Sequence, residues 1–238
     1  MITEGKNAVA ELLKTDKTID KILIENGLRD PASRALVNQI KEHGVKFSYA
    51  DKAVLDKQSK SGRHQGFIAF TSDFVYTDIE DMIENAEGRD CFFLVLDGIE
   101  DPHNLGSIIR VAECGGLDGI IIGKHRSACV TDAVMRISEG AANHVPVARV
   151  TNVNAAIDKL KEANVFVFGL EIGGNDIYSA NLKGRIALVI GGEDTGVNKL
   201  TQKKCDGVLS ITMHGKINSL NASVACGVAV FEALRQRN

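Results

Sequence analysis

Residues 92–96 read FFLVL and are followed at 97–110 by DGIEDPHNLGSIIR. The first stretch is apolar at every position, which is typical of a strand buried on both faces of a parallel sheet. The second stretch starts with turn-forming residues, and Pro102 and Asn104 suit the beginning of a helix, with Asn104 as the candidate N-cap. Strand, loop and helix in this order are the repeating unit of an α/β fold.

The same pattern recurs toward the C-terminus. Further apolar runs stand at 119–122 (GIII), 165–169 (VFVFG) and 186–190 (IALVI), and helical segments separate most of them. The last segment, 219–237, is rich in Ala and Val and predicts a long helix. We therefore expect a parallel sheet covered by helices over residues 91–238.

Toward the N-terminus the sequence predicts a smaller α/β unit over residues 1–72. Its predicted strands are 19–25 (IDKILIE), 47–49 and 66–70 (GFIAF), with a helix over 31–43. Residues 73–90 are acidic and carry apolar residues at helical spacing, so they predict an amphipathic helix that links the two domains.

A polar loop at 57–65 (KQSKSGRHQ) carries the cations Lys57, Lys60 and Arg63. It is either solvated surface or a loop that contacts RNA phosphates. The chain has a formal net charge of -3, but residues 1–72 hold 12 Lys and Arg against 9 Asp and Glu, and residues 73–90 hold 1 against 7. Neither large part is acidic, so the charge permits an RNA partner without demonstrating one.

The five cysteines form no C-x-x-C pair and no zinc-binding spacing. Their odd number and their mostly apolar neighbours favour buried free thiols in a reducing compartment, and no metal is expected. The N-terminus lacks a basic and then apolar signal segment, and no run of about 18 apolar residues is present. We expect a cytoplasmic protein that is not attached to a membrane.

Three loops at predicted strand ends carry unusual residues, and ligands of α/β sheets bind at such ends. In the first, Ser107 and Arg110 share a helix face, although Arg110 alone could be an ordinary salt-bridged residue, with Glu113 as the partner. The second, 191–196 (GGEDTG), has glycines that let a ligand approach the backbone. Val197 and Asn198 exclude a P-loop, which requires Lys and then Ser or Thr there, but the loop could still be a tight turn before a helix.

The third loop spans 211–225 (ITMHGKINSLNASVA). Gly215 marks a turn, and Ser219, Asn221 and Ser223 cluster with Asn218 where the last helix begins. Helix capping accounts for one or two of these polar residues and leaves the others unexplained.

The segments 104–110 (NLGSIIR), 190–197 (IGGEDTGV) and 211–225 together resemble, in order and spacing, the three motifs of the SpoU (TrmH-like) class of SPOUT RNA methyltransferases. Residues 4–13 (EGKNAVAELL) and 64–70 (HQGFIAF) also resemble the N-terminal domain of RlmB-type members, which act on large-subunit ribosomal RNA. The resemblance covers nearly the whole chain.

The resemblance implies a homodimer. It also implies an L30e-like N-terminal α/β domain that helps to hold RNA and a SPOUT-type catalytic domain with a C-terminal trefoil knot. The implied reaction is the transfer of a methyl group from S-adenosyl-L-methionine to a ribose 2'-oxygen, on a guanosine of 23S ribosomal RNA. A 2'-hydroxyl target restricts the substrate to RNA.

Carried over residue by residue, the motifs imply two sets of site residues. The catalytic set is Arg110, Asn104, Glu193, Ser219 and Asn221, and the cofactor-binding set is Gly191, Gly192, Ile211, Gly215 and Leu220. One position departs from the family pattern, because Thr212 stands where the third motif usually has proline. Thr restores an N–H and loosens φ, which bears on cofactor affinity rather than on activity.

The family arginine is often described as a general base, but arginine stays protonated in proteins. We therefore interpret Arg110 as the group that fixes a phosphate and stabilises oxyanion charge. Three alternatives stay open: a transfer-RNA methyltransferase, a resistance-type ribosomal RNA methyltransferase, or a non-catalytic RNA-binding module. Against the last, Arg110 and the GGEDTG loop are both intact.

Overall fold

The computed structural model describes residues 1–15, 17–72, 74–193, 195–216 and 219–237. By their internal contacts, these residues divide into two compact units, Met1–Val75 and Tyr76–Asn238. Each unit has its own sheet. Within the described ranges, none of the helices combines the length and apolar character that a membrane span requires.

The Met1–Val75 unit is a four-stranded sheet with helices on both faces. Its strands have the order β1-β4-β2-β3, in which β2 and β3 are parallel and the other pairs are antiparallel. The strands are β1 (Ile2–Glu4), β2 (Ile19–Glu25), β3 (Phe47–Ala50) and β4 (Phe67–Thr71), and the helices are α1 (Lys6–Leu12), α2 (Pro31–Glu42) and α3 (Lys52–Gln58).

Alternation along β2 distributes side chains to both faces of this sheet. Ile22 and Ile24 pack on one face with Leu36 and Ile40 of α2, while Leu23 packs on the other face with Leu55 of α3. Burial of Leu55 draws the chain into a helix as far as Gln58. Lys57, which was predicted to lie in the polar loop, therefore belongs to the last turn of α3.

The Tyr76–Asn238 unit is a six-stranded sheet of order β10-β8-β9-β5-β6-β7 in which every neighbouring pair is parallel. The strands are β5 (Phe92–Asp97), β6 (Gly119–Gly123), β7 (Val147–Val150), β8 (Phe166–Asp176), β9 (Ile186–Gly191) and β10 (Gly207–Ser210). The α-helices are α4 (Ile79–Asn85), α5 (Pro102–Cys114), α6 (Asp132–Ile137), α7 (Val153–Glu162), α8 (Lys199–Lys204) and α9 (Ala222–Arg237).

Both faces of the larger sheet are covered, as its doubly apolar strands require. Phe93 and Val95 of β5 pack with Ile157 of α7, and the intervening Leu94 is equally buried on the opposite face. The α/β class with a parallel sheet is therefore confirmed. The trefoil knot and the L30e-like character of the smaller unit stay predictions.

The acidic stretch 73–90 differs from the expected linking helix. Its helix α4 spans only Ile79–Asn85, and Ile79 and Met82 are buried in the core of the larger unit beside Phe93. Apolar burial thus places α4 within this unit's fold, and the rest of the described stretch is not helical. Asp73 lies outside the described residues.

Candidate active site

A cleft of about 620 Å³ lies in the larger unit at the carboxyl ends of β9 and β10, beside the second half of β8. Parallel strands end at one edge of their sheet, so the segments that follow them converge there. Three segments form the walls: residues 170–173 within β8, residues 190–196 after β9, and residues between 210 and 225 after β10. The predicted residues among them are Gly191, Gly192, Glu193, Ile211, Gly215, Ser219 and Leu220.

The loop after β9 folds tightly on itself. The Gly196 N–H donates to the Gly192 carbonyl over 2.8 Å, and Gly196 has φ +61°, which favours glycine. A Cβ on Gly191 would lie 2.0 Å from the Gly196 carbonyl carbon and 2.1 Å from the Val197 nitrogen. Gly191 is therefore needed for the loop's own packing. Asp194 lies outside the described residues.

Asp97, at the end of β5, fixes both ends of this loop. Its backbone carbonyl accepts the Gly192 N–H at 3.1 Å, and its carboxylate accepts the Asn198 N–H at 3.0 Å. The contact joins the ends of two adjacent parallel strands, which is how a rigid sheet can position a binding loop. Asp97 was not among the residues predicted for the site.

The segment 170–173 was also missed, because β8 was predicted to end at Gly169. In the structure β8 continues, but its pairing with β10 jumps from Gly169↔Val208 to Leu209↔Asn175. The residues between lie outside that ladder and form a wall of the cleft. The only sequence signal was Glu171 inside an otherwise apolar run ahead of two glycines.

Glu171 connects this wall to the loop after β9. Its carboxylate accepts the Val197 N–H at 2.8 Å and the Ile172 N–H at 3.0 Å. A carboxylate has about four lone-pair positions, so two acceptor positions remain for other donors at the cleft.

A polar cluster joins the three sequence motifs. The Asn221 side-chain amide donates to Asn104 Oδ1 at 2.9 Å and to Glu193 Oε1 at 2.5 Å. Its carbonyl oxygen accepts the N–H and hydroxyl of Ser223 at the start of α9. Asn221 therefore caps α9 and also holds the other two motifs, which capping alone does not require. Asn218, predicted in the same polar set, lies outside the described residues.

Asn104 is not the N-cap of α5, contrary to the sequence expectation. Asp101 is the cap, and its carboxylate accepts the His103 N–H at 3.0 Å. Pro102 then occupies the first helical position, where its fixed φ and missing N–H cost nothing. Asn104 lies inside the first turn, is only 5% exposed, and is free to bond Asn221.

Arg110 lies on α5 but not among the residues that line the cleft. Its guanidinium donates to Glu139 Oε1 at 2.7 Å, so its partner is Glu139 and not the predicted Glu113. Both side chains of this pair are more than half exposed. Among the described residues, Arg110 donates one N–H to a partner, and a guanidinium has five.

The electrostatics of the cleft favour a cationic ligand. Glu171 and Glu193 both line it, whereas no Lys or Arg is found among its described lining residues. Such a wall attracts positive charge and disfavours the phosphates of a nucleotide cofactor. Apart from these carboxylates, the lining is backbone, hydroxyl and apolar side chains.

No cysteine is among the described residues that line this cleft. Burial raises the pKa of Cys226 to about 12 and that of Cys205 to about 11, so both thiols stay protonated. Cys114, in contrast to the expectation of buried thiols, is exposed. Over the described residues, no three His, Cys, Asp or Glu side chains are grouped so that they could hold a metal ion.

The fold and the cleft define an α/β protein with a cleft of small-molecule size at the carboxyl edge of a parallel sheet, next to a hydrogen-bonded Asn–Asn–Glu cluster. The SpoU rRNA Methylase family matches residues 91–231, more than half of the chain. A second family, described as RNA 2'-O ribose methyltransferase substrate binding, matches residues 2–77. The chain belongs to the SpoU family of RNA 2'-O-methyltransferases.

Similar proteins cover nearly the whole chain. YacO of Bacillus subtilis, placed in the TrmH family of tRNA/rRNA methyltransferases, is 40% identical over 98% of this chain and 95% of its own length. The 23S rRNA (guanosine-2'-O-)-methyltransferase RlmB of Xanthomonas campestris is 38% identical with the same coverage. The crystal structure of the SpoU methyltransferase AviRb from Streptomyces viridochromogenes shares the fold, with a TM-score of 0.64, 22% identity, and coverage of 99% of this chain and 90% of that chain.

Proposed function

We propose that this protein transfers a methyl group from S-adenosyl-L-methionine to the ribose 2'-oxygen of a guanosine in 23S ribosomal RNA. The observation that carries the proposal is a cleft lined by the second and third motif segments, with two carboxylates and no described cation. Asn104 of the first motif is joined to Glu193 of this lining through Asn221. The name of the RlmB relative supports guanosine and 23S RNA as the finer choice. Such a substrate would place the reaction in the cytoplasm.

The cleft fits S-adenosyl-L-methionine in size and in charge. Its volume of about 620 Å³ lies within the range typical of small-molecule sites. The ligand carries a sulfonium and an ammonium group, which Glu171 and Glu193 complement. We infer that backbone groups of Gly191, Ile211 and Leu220 hold the rest of the molecule.

When bound, S-adenosyl-L-methionine supplies a methyl group that is already activated by the positive charge on sulfur. The chain's own task is to align the ribose with that methyl group and to exclude water. We propose that Asn221, fixed by Asn104 and Glu193, orients the ribose, with Ser219 beside it at the cleft. These groups are held before the substrate arrives, which lowers the cost of alignment.

Arg110 would contact the phosphate next to the target ribose and stabilise the charge that develops on the 2'-oxygen. We do not assign Arg110 as the base, because arginine side chains in general keep their proton. Since Arg110 does not line the cleft of its own chain, we propose that it serves the cleft of a second copy in a homodimer.

The final helix supports this homodimer. Val224 and Phe231, one heptad apart on α9, are each about half exposed, and Leu220 at the cleft is 40% exposed. Light scattering should give twice the 25.6 kDa mass of one chain, and a monomer at micromolar concentration would contradict the proposal.

The Met1–Val75 unit would hold the RNA through Lys57, Lys60 and Arg63. Its match to a substrate-binding family supports this role. Within the described part of this unit, none of the three cations forms an ion pair. Phosphate contacts of this kind fix the position of the RNA without reading its bases.

The deciding experiment is an in vitro transfer assay with labelled S-adenosyl-L-methionine and transcribed 23S RNA, followed by mapping of the modified nucleotide. We expect one 2'-O-methylguanosine, and a transcript with a 2'-deoxyguanosine at that position should accept no label. Mapping of ribosomal RNA from cells that lack the protein should show the same nucleotide unmethylated. Label in transfer RNA alone would favour the transfer-RNA alternative, and no transfer at all would favour a binding module.

A further inference from the structure

One carboxylate organises the basic loop of the smaller unit. Glu4, the last residue of β1, accepts hydrogen bonds from the Ser59 hydroxyl at 2.5 Å, the Lys60 N–H at 2.6 Å and the Ser61 hydroxyl at 2.6 Å. The Ser61 N–H adds a longer bond of 3.3 Å. These hydrogen bonds lower the pKa of Glu4 to about 2, so its carboxylate stays charged at neutral pH.

Ser59 and Ser61, which bind Glu4, also accept hydrogen bonds from the residues that follow in the loop. The Gly62 N–H donates to the Ser59 hydroxyl at 2.9 Å, and the Arg63 N–H donates to the Ser61 hydroxyl at 3.2 Å. Each backbone N–H from Lys60 to Arg63 thus has a partner inside the loop or on Glu4.

The far end of the loop is fixed by a buried histidine. His64 is 4% exposed, and its Nδ1 accepts the Gly66 N–H at 3.0 Å. Its Nε2 lies 3.0 Å from a carboxylate oxygen of Asp56 on α3. The loop is therefore held at Glu4, at α3 and at the beginning of β4.

The three cations on and next to this loop remain available to contact RNA phosphates. Lys57, Lys60 and Arg63 are exposed, and the Lys ion pairs described within this unit are Lys6–Asp30 and Lys14–Glu11. The Glu4 carboxylate is occupied by neutral N–H and O–H donors and not by any of the three ammonium or guanidinium groups. A rigid loop that carries free cations is suited to the regularly spaced phosphates of RNA.

We propose that Glu4 is a positioning residue that builds segment 57–63 into a preorganised site for the phosphodiester backbone of RNA. The inference rests on the proposed function only in that this unit binds RNA. The change in RNA binding that it predicts for loss of the Glu4 charge is opposite to the change expected from Coulomb attraction alone. Removal of a negative charge near an RNA site strengthens binding when only Coulomb attraction matters, whereas removal of this anchor weakens binding because the loop must then be ordered by the RNA.

The test compares Glu4→Gln with Glu11→Gln, which makes the same change of charge in the same unit. Glu11 contacts Lys14 in an exposed pair and does not touch the loop. RNA affinity of the full chain is measured by fluorescence anisotropy with a 23S RNA fragment. We expect Glu4→Gln to weaken binding about tenfold and Glu11→Gln to leave it unchanged or slightly stronger. If Glu4→Gln binds as tightly as Glu11→Gln, the inference is wrong.

Two further measurements separate positioning from misfolding and from failure of the RNA site itself. If Glu4→Gln melts at a lower temperature than wild type, the Ser61→Ala variant decides. Weaker RNA binding by Ser61→Ala at an unchanged melting temperature supports the inference, and unchanged binding overturns it.

The second measurement combines Glu4→Gln with a Lys57→Ala, Lys60→Ala, Arg63→Ala triple variant. Glu4→Gln should weaken RNA binding little further in this background, since both changes act on one site. If that triple variant alone binds RNA normally, the RNA site and the Glu4 inference both fail. If it binds weakly while Glu4→Gln binds normally, only the Glu4 inference fails.

Discussion

The cleft of the larger unit is built from backbone, glycines and short or apolar side chains, with two carboxylates. The 57–63 segment of the smaller unit presents three long cations, Lys57 at the end of α3 and Lys60 and Arg63 on a loop that one carboxylate holds in place. Under the proposed function, specificity in the cleft would depend on shape, so one misplaced atom would be decisive. RNA binding by the 57–63 segment would depend on summed charge, so its loss would be graded.

The largest expected effect is that of Gly191→Ala on the cleft. The added Cβ would collide with the backbone of Gly196 and Val197, so the loop must shift. We expect the affinity for S-adenosyl-L-methionine to fall on the order of 100-fold, measured by calorimetry. Gly169→Ala is the matched control, because its Cβ would make an ordinary contact of 3.5 Å with Cys205 Sγ. If the two variants bind S-adenosyl-L-methionine with equal affinity, the shape of the loop does not limit cofactor binding.

Arg110→Ala should come next, with a loss of methyl-transfer rate of about 100-fold because a charged transition-state contact is removed. Affinity for S-adenosyl-L-methionine should stay near wild type. Glu139→Ala is the control, since it breaks the same exposed ion pair and leaves the guanidinium in place. Arg110 has only a structural role if it keeps more than a tenth of the wild-type rate, or if both variants lose activity equally.

The combined change of Lys57, Lys60 and Arg63 to Ala should weaken RNA binding about tenfold at moderate salt. It should also flatten the plot of log affinity against log salt by up to about three units of slope. Cofactor affinity should not change, which would establish that the two regions act on different ligands. If the slope is unchanged, these cations do not contact RNA phosphates and the loop is only solvated surface.

Glu171→Gln should have the smallest effect, and it tests whether the negative charge of the cleft contributes to cation recognition. It should weaken S-adenosyl-L-methionine about fivefold more than S-adenosyl-homocysteine, which lacks the sulfonium charge. General damage to the cleft wall would weaken both ligands equally, so it cancels in the ratio of the two affinities. Glu162→Gln, an exposed residue of α7, should leave the ratio unchanged. A ratio that is also unchanged in Glu171→Gln would remove this carboxylate from cation recognition.

The candidate site was largely predictable where it depends on strand ends. Glu193 follows β9, and Asn221 follows β10 and starts α9, so their meeting with Asn104 follows from parallel strands that end at one edge. The partner of Arg110 was not predictable. Glu139 lies 29 residues further along the chain in a turn after α6, with φ +51°, and no local spacing indicates that turn's position.

The displaced part of β8 and the position of Lys57 were also beyond the sequence. Leu170 to Gly173 look like a strand and its end, and only the jump in pairing with β10 turns them into a wall of the cleft. Lys57 lies at the end of a helix because Leu55 packs against Leu23 of β2 and Ile68 of β4 on one face of the sheet. Both outcomes depend on neighbours that are distant in the chain.

The sequence by itself determined the α/β class, the main strands and the three motif segments, because apolar runs, glycines and capping residues act through local geometry. Only the tertiary structure decided the strand order β10-β8-β9-β5-β6-β7, the absence of Arg110 from the lining of its own cleft, and the bond from Glu4 to a loop 56 residues away. These depend on long-range packing, in which a residue's partner is set by the arrangement of whole elements and not by its neighbours in the chain.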